Sequence, residues 1–437
     1  MRMVVKFGGT SLKNVARLRL AARNLAALRA AGHEVLAVVS AMGDTTNRLV
    51  RLGRRIHVDA PVDQHYLRLL ATGETASAQA LAMALAAEGC RAQAISFDHP
   101  DFPLVAAPGQ AESQVLSSAK VNDPVDVRLD PEACEERFSR LVEPLLKARV
   151  IPVLPGFFIR DRDHHLVTLG RGGSDVSAFL AGRFARADEV VIVTDVEGVL
   201  TADPRVVQDT SVVKEIDAAL MSAVAQRGAQ VLHPNALRHK PESTVARVVH
   251  FRALGRMAEG TRIVGIAQTQ LDVHPSPLTL VLLFGTGISR RLGLMARLGE
   301  FAAARGVTIH ASTSSDRVVG IYVDQQHGGG IAGDLHREFV GPGKDFQEMV
   351  VTEEVAEVRL SNPAFISTHG VIRVIADTLY QGGLNIIEIV TSHADIHVYC
   401  QWEQADRVRR LLADHLGIEA VNGNRNGSAS RRNPGRR

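Results

Sequence analysis

Cysteine is scarce in this chain of 437 residues: Cys90, Cys134 and Cys400 are the only three, far apart and without a C-x-x-C pair. That indicates neither a disulfide framework nor a zinc site, and it fits a reducing compartment such as the cytoplasm. Long apolar runs are lacking too. Stretches such as Leu280 to Phe284 fall far short of a membrane span, and the N-terminus enters an apolar strand without a charged leader, so neither membrane insertion nor export is expected. Nor does one sign of charge prevail. Lys and Arg number 50 against 47 acids, and the last seventeen residues, Val421 to Arg437, hold five Arg and no acid. The rest is thus slightly acidic, which leaves a basic tail, 419–437, expected to be disordered, and no bulk attraction for nucleic acid. What remains is an ordinary soluble composition, 46% hydrophobic and 22% charged, long enough for several domains.

Met3 to Phe7 reads as a strand, Gly8 to Ser11 as a turn, Asn14 to Ala31 as a helix closed by Gly32, and Val35 to Ser40 as a second strand. Strands at Val150 to Pro155 and Val190 to Thr194 alternate with helices at Thr75 to Glu88, Pro131 to Lys147 and Ser174 to Arg186. That alternation implies an α/β domain with a mainly parallel central sheet between two helical layers. The Asp98 to Asp130 segment is weakly periodic and has no assigned role. After Arg262 the pattern changes, and His274-Pro275-Ser276-Pro277 suggests a linker. Beyond it lies an internal repeat, in which Gly306 to Asp324 aligns without a gap on Gly383 to Gln401, an offset of 77 residues. Each copy follows an amphipathic helix, and the final strands, Val318 to Val323 and Asp395 to Cys400, are expected to lie at sheet edges open to pairing.

Three segments carry residues suited to chemistry. Lys6-Phe7-Gly8-Gly9-Thr10-Ser11 joins a strand to a helix. A lysine there can neutralise transferring phosphates, and two glycines let backbone N–H groups approach them. A plain tight turn is the competing account. Thr168-Leu169-Gly170-Arg171-Gly172-Gly173-Ser174-Asp175 runs into a helix whose N-cap is expected at Ser174 or Asp175; an Arg among glycines suits a carboxylate better than a simple capped turn requires. Thr194-Asp195-Val196-Glu197-Gly198-Val199, with Thr201-Ala202-Asp203-Pro204-Arg205, follows a buried strand, where α/β sheets bind ligands, although Asp-Pro and Gly are equally good turn formers. Ser40 to Asn47 and Thr72-Gly73-Glu74 complete the set. Glu74 reads either as a substrate-orienting carboxylate or as an acid capping the helix that follows it. His164-His165 reads as a solvated loop and His233 as a turn residue without metal-ligand spacing, so no protein metal site is expected.

In this order, KFGGTS, SAMGDTTN, TGE, TLGRGGSD, TDVEGV, TADPR and VLHP resemble the aspartate kinase branch of the amino-acid kinase family over residues 1 to about 265. The repeat resembles a tandem of ACT modules (βαββαβ) that bind amino acids. The resemblance implies a catalytic domain at 1–265, a linker at 266–277, ACT-like modules at 278–345 and 346–418, and transfer of the γ-phosphoryl group of ATP to the β-carboxylate of L-aspartate, at the head of lysine, threonine and methionine synthesis. It implies ATP with Mg²⁺ as substrate, an amino-acid effector at the modules and a homo-oligomer. It places Lys6, Phe7, Gly8, Gly9, Ser40, Ser174, Thr194, Asp195, Val199, Leu200, Asp203, Pro204, Arg205 and Gln230 around ATP. Thr46, Glu74, Arg171, Gly172, Gly173 and Ser174 surround aspartate, and Lys6 and Asp175 are catalytic. The chain departs from the family at Leu200, usually Tyr, at Gln230, usually basic, and across Phe97 to Asp130. No dehydrogenase domain is expected after Gly417. A kinase of another small acid and a catalytically weak amino-acid sensor remain the alternatives, separable by a substrate panel and an ATP turnover assay.

Overall fold

The computed structural model describes residues 1–57, 63–110, 127–170, 172–226, 231–255, 259–267, 269–362, 365, 370–392 and 394–416. The chain forms two compact units, Met1–Gln268 and Thr269–Arg437. Among the described residues, no helix is long and apolar enough to cross a membrane. The basic tail lies outside the described residues.

The first unit is built on strands β1 (Arg2–Phe7), β2 (Glu34–Val39), β3 (Ala92–Ala94), β4 (Ile151–Pro155), the hairpin β5 (Phe158–Arg160) and β6 (Leu166–Thr168), β7 (Glu189–Thr194), β8 (Glu215–Asp217), β9 (Val245–His250) and β10 (Thr261–Val264). Eight of them form one sheet in the order β3-β4-β2-β1-β7-β9-β10-β8. The neighbours from β3 to β9 run parallel and only β9 and β10 are antiparallel. Helices cover both faces. On β1, Met3, Val5 and Phe7 pack with Leu18, Ala22 and Leu25 of the helix Val15–Ala30. Val4, on the opposite face by the two-residue period of a strand, joins Val176, Phe179 and Leu180 of the helix Gly173–Phe184. Lys6 shares the parity of Val4 and so faces that same helix.

Three local expectations change here. The helix containing Glu74 starts eleven residues earlier than expected, at Gln64 instead of Thr75, because Asp63 caps it by accepting a hydrogen bond from the Tyr66 N–H. Glu74 is therefore a mid-helix residue and not a capping acid. The helix Gly173–Phe184 is capped by Gly172 with φ 76°, which leaves Ser174 and Asp175 inside its first turn. The helix expected over Pro131 to Lys147 is interrupted by a wider π-turn at Phe138–Val142, beside Pro144, which has no N–H to donate. Of the unassigned Asp98 to Asp130 segment, 111–126 lie outside the described residues. Its start packs inward: Arg160 is fully buried and donates to the carbonyls of Phe97 at 2.8 Å and Pro100 at 3.0 Å.

The second unit holds β11 (Gln270–Val273), β12 (Leu278–Phe284), β13 (Ile309–Ser314), β14 (Val318–Asp324), β15 (Glu348–Ser361), β16 (Glu388–Ser392) and β17 (Asp395–Gln401) in one antiparallel sheet ordered β13-β14-β12-β15-β17-β16, with β11 also on β15. The 77-residue offset carries β14 onto β17, β12 onto the second half of β15, and the helix Leu294–Ala303 onto Val371–Gln381. Each repeat then has the same strand neighbours. β13-β14-β12 lie beside Glu348–Thr352 in one; β16-β17 lie beside Val355–Ser361 and then β11 in the other. The first module is thus inserted into the second, which borrows β11 from upstream. The stretch expected as a linker, 266–277, holds that strand, and the boundary expected at 345/346 moves to a bulge in β15 at Glu353 and Glu354, where Glu354 has φ 54°. β14 and β17 are not edges; each is paired on both sides, because the hairpin strand just before it (β13 or β16) takes one side and an earlier strand (β12 or β15) takes the other. Tyr322 and Tyr399, related by the same offset, stack with ring centroids 3.9 Å apart.

Candidate active site

The carboxyl ends of β1, β2, β4 and β7 converge where the chain passes to β2 on one side of β1 and to β7 on the other. Such a switch point opens the crevice in which α/β sheets bind ligands. The Gly8-Gly9 turn is fixed from both sides. Ser11 Oγ donates to the Val193 carbonyl at 3.1 Å, while Gly43 N–H donates to the Gly9 carbonyl at 2.9 Å and Ser40 N–H to the Phe7 carbonyl at 3.1 Å. Gly9 must be glycine for steric reasons: a Cβ there would lie 2.7 Å from the Ala41 carbonyl oxygen.

Lys6 and Asp175 form the centre of the site. Their Nζ and Oδ1 atoms are 2.5 Å apart, and each side chain is about one-tenth exposed. The pair exists because the strand period aims Lys6 at the first turn of the helix Gly173–Phe184. The N-terminus of that helix and the Gly8-Gly9 turn add partial positive charge, an environment suited to phosphate. Ser174 is buried in the same turn and packs against Gly156, whose added Cβ would come within 3.1 Å of Ser174 Oγ. Gly172 is held to glycine both by its φ and by His233, whose Cβ would sit 2.3 Å from an added one.

Glu74 is only 2% exposed. Its Oε1 faces Thr46 Oγ1 and the Ala41 N–H, each at 3.4 Å, and its Oε2 has no hydrogen-bond partner in the protein. Burial pushes its pKa up from 4.5 to about 7, against the smaller effects of these donors. The helix bearing it approaches the Ser40 to Asn47 loop closely because Gly73 faces Ala41 and Thr45, where a Cβ would meet side-chain atoms at 3.0 and 3.2 Å. A buried carboxyl with an open oxygen is arranged to receive a cationic donor such as an ammonium.

The remaining expected residues are distributed differently. Thr194 is half-buried at the end of β7 and donates to the Asp195 carboxylate at 3.3 Å. Val199 is buried, its N–H donating to Thr261 Oγ1 at 2.8 Å, and Leu200 is half-buried, bridged to Val212. Asp203, Pro204 and Arg205 are exposed. Asp203 and Arg205 pair with each other at 2.8 Å, and the Arg205 hydrogen bonds hold the Asp203 carboxyl below its usual range. No contact between this pair and Lys6 or Asp175 is recorded among the described residues. Arg171 and Gln230 lie outside the described residues. Ser11 was not singled out from sequence as part of this architecture, although it belongs to a recognised motif, and His233, read only as a turn residue, also crowds Gly172. His233 also caps the short helix Pro234–Leu237 by accepting the Asn235 N–H.

Known proteins show the same arrangement of sequence and fold. The profile of the amino acid kinase family matches residues 1–250. An aspartokinase of Rickettsia felis is 35% identical over 237 residues, 54% of this chain and 54% of its own, so that alignment spans about half the length of the relative. An aspartokinase of Thermus thermophilus is 28% identical over 427 residues, covering 94% of this chain and 97% of its own. The crystal structure of aspartate kinase from Synechocystis superposes with a TM-score of 0.77 at 25% identity, covering 97% of this chain and 71% of that one. Aspartokinase III of E. coli, solved in complex with aspartate and ADP, shares the fold with a TM-score of 0.52 at 21% identity, over 95% of this chain and 100% of its own. Because the family match spans more than half of the sequence and takes in every motif described above, the chain belongs to the amino acid kinase family.

Proposed function

We propose that this chain is an aspartate kinase, which transfers the γ-phosphoryl group of ATP to the β-carboxylate of L-aspartate and yields 4-phospho-L-aspartate. The observation that carries the proposal is the Lys6–Asp175 pair at the switch point, beside a buried Glu74 whose second oxygen is open. The aspartokinase relatives, matched over nearly their whole length in one case, support the same reading.

In this reading Lys6, with the backbone N–H groups of Gly8 and Gly9, neutralises charge on the phosphates, and Asp175 holds the Lys6 ammonium in place. Mg²⁺ enters with ATP. Asp175 fits that ion, since magnesium takes one or two carboxylates together with substrate phosphates. Thr46 and Glu74 hold the α-ammonium of aspartate, Arg171 its carboxylate, and Ser174 the end nearest the phosphates. Ser40, Thr194, Asp195, Val199, Leu200, Asp203, Pro204, Arg205 and Gln230 form the nucleotide side. The attacking β-carboxylate is already ionised at neutral pH, so positioning and charge neutralisation suffice and no general base is needed.

An aspartyl-hydroxamate assay with MgATP tests this directly. Hydroxamate should form with aspartate and not with glutamate; no turnover of either would leave the amino-acid sensor as the reading. Arg171→Lys separates the ligands further. It keeps the charge but loses the planar two-donor fork, so KM for aspartate should rise at least tenfold while KM for ATP stays within threefold. A change in ATP alone would reassign Arg171.

The pair of ACT-like modules, one inserted into the other, supports an amino-acid effector and a homo-oligomer. The Glu348–Thr352 half of β15 pairs with β12 on one side, and no pairing is recorded on its other side among the described residues. It carries Val350 and Val351, 43% and 37% exposed, so a second copy pairing there would satisfy the edge and cover the valines. Running the hydroxamate assay with and without lysine and threonine, alongside sedimentation, tests both points.

A further inference from the structure

Among the described residues, two clusters have metal-ligand chemistry: Asp161, Asp163 and His165 in the first unit, and His274, His310 and Asp324 in the second. The first is a loop-closing turn. Asp161 Oδ1 already accepts the N–H groups of Asp163 at 3.0 Å and His165 at 2.8 Å, which explains the carboxylate without a ligand. The second cluster has no such explanation.

His274 lies in the connection between β11 and β12, anchored by its N–H donating to the Glu357 carbonyl at 2.9 Å. Its ring Nδ1 is 2.8 Å from the Ser276 carbonyl oxygen. A carbonyl only accepts, so Nδ1 carries the proton and Nε2 presents its lone pair. That is the way metal-binding histidines are oriented by a second hydrogen bond. His310 sits at the bulge of β13 between Ile309 and Ala311, where the extra residue re-aims a side chain. Its Nε2 is 3.2 Å from Asp324 Oδ1, and its ring centroid is 4.8 Å from that of His274. Asp324 stands immediately before the helix Gln325–Phe339, where an aspartate ordinarily caps, yet its side chain makes no capping hydrogen bond. The carboxylate is turned to the histidine instead.

We propose that His274, His310 and Asp324 form a binding site for a divalent transition-metal ion of the zinc type. The three ligand atoms lie within 4.8 Å of one another. Tetrahedral bonds of about 2.0–2.1 Å place ligands roughly 3.3 Å apart, so the His310–Asp324 spacing already fits and the remaining distances close by side-chain rotation. Two imidazoles and one carboxylate select zinc, cobalt or nickel over magnesium, which prefers oxygen ligands alone. The fourth position is left to water. Such an ion joins the segment leading out of β11, which belongs to the outer module, to β13 and β14 of the inserted one, and so fixes the insertion at its entry point.

The full-length protein, stripped with chelator, is titrated with ZnCl₂ by calorimetry and with CoCl₂ by visible absorption. One equivalent of zinc should bind with Kd near or below about 10 µM, with cobalt d–d bands typical of a four-coordinate nitrogen and oxygen site and a raised melting temperature. His310→Ala and Asp324→Asn should each weaken binding at least tenfold and abolish the bands. Both are surface substitutions, and hydroxamate formation in the absence of added zinc should stay within twofold. His165→Ala should change nothing. The proposal is overturned if the wild type binds no equivalent at 100 µM zinc, in which case His310 and Asp324 are an ordinary ion pair. It is equally overturned if the two variants keep wild-type affinity, which would place the ion on other histidines.

Discussion

Lys6→Ala is expected to lower kcat by about 100- to 1000-fold, the range for removing one preorganised charge from a transition state. The same change should also cost stability, because Lys6 is the partner of a carboxylate that is about nine-tenths buried. Removing one member of a buried pair typically costs about 3–5 kcal/mol, and the slight exposure of this pair places it toward the lower end. The two effects are separable. Lys6→Ala combined with Asp175→Asn leaves no uncompensated charge and should recover most of the melting temperature while remaining inactive. If the double variant regained turnover, or if a folded Lys6→Ala enzyme lost less than threefold in kcat, Lys6 would have no part in phosphoryl transfer.

The second large effect concerns Glu74 and pH. Its pKa in the folded protein, about 7, lies above its ordinary value of 4.5 because burial disfavours the carboxylate. The stability linked to this group is therefore fully present below about pH 4.5 and is lost as pH rises through 7, amounting to about 3 kcal/mol at alkaline pH. Glu74→Gln removes that loss. The unliganded variant should gain stability over wild type as pH is raised from 5 to 8, which denaturant titrations at the two pH values measure. Function should move the opposite way. An ammonium needs the ionised carboxylate, so wild-type kcat/KM for aspartate should fall about tenfold per pH unit below 7. In Glu74→Gln it should be at least about 100-fold lower and flat across that window, as expected when a buried charged hydrogen bond is lost. A wild-type profile flat between pH 6 and 8, or a variant retaining the wild-type slope, would take Glu74 off the substrate ammonium.

How much of this was legible in advance depended on the range of the interaction concerned. Strand periodicity alone set β1 and β2 within a residue of their observed bounds and implied the parallel sheet, since an apolar run between a turn and an amphipathic helix has few other uses. The glycine motifs were legible as loops because backbone approach and positive φ, as at Gly172, leave few alternatives. The second unit shows the limit of such reading. Its repeat was visible at a constant offset of 77 residues, but the borrowing of β11 was not, because four residues pairing with Ser361 to Val358 have no local signature. Pairing across a sheet is a long-range choice that periodicity does not encode.

At the site the same division holds. The residue types at positions 6, 9, 74, 172 and 175, in their order along the chain, carried the resemblance to the amino acid kinase family, and the glycines among them marked the turns. Only the tertiary structure decided that Lys6 meets Asp175, that Glu74 lies in the middle of a helix with one oxygen open, and that the Asp203–Arg205 pair stands in solvent. Those facts depend on which faces of distant elements are buried together, and burial sets both the partner of a charge and its pKa.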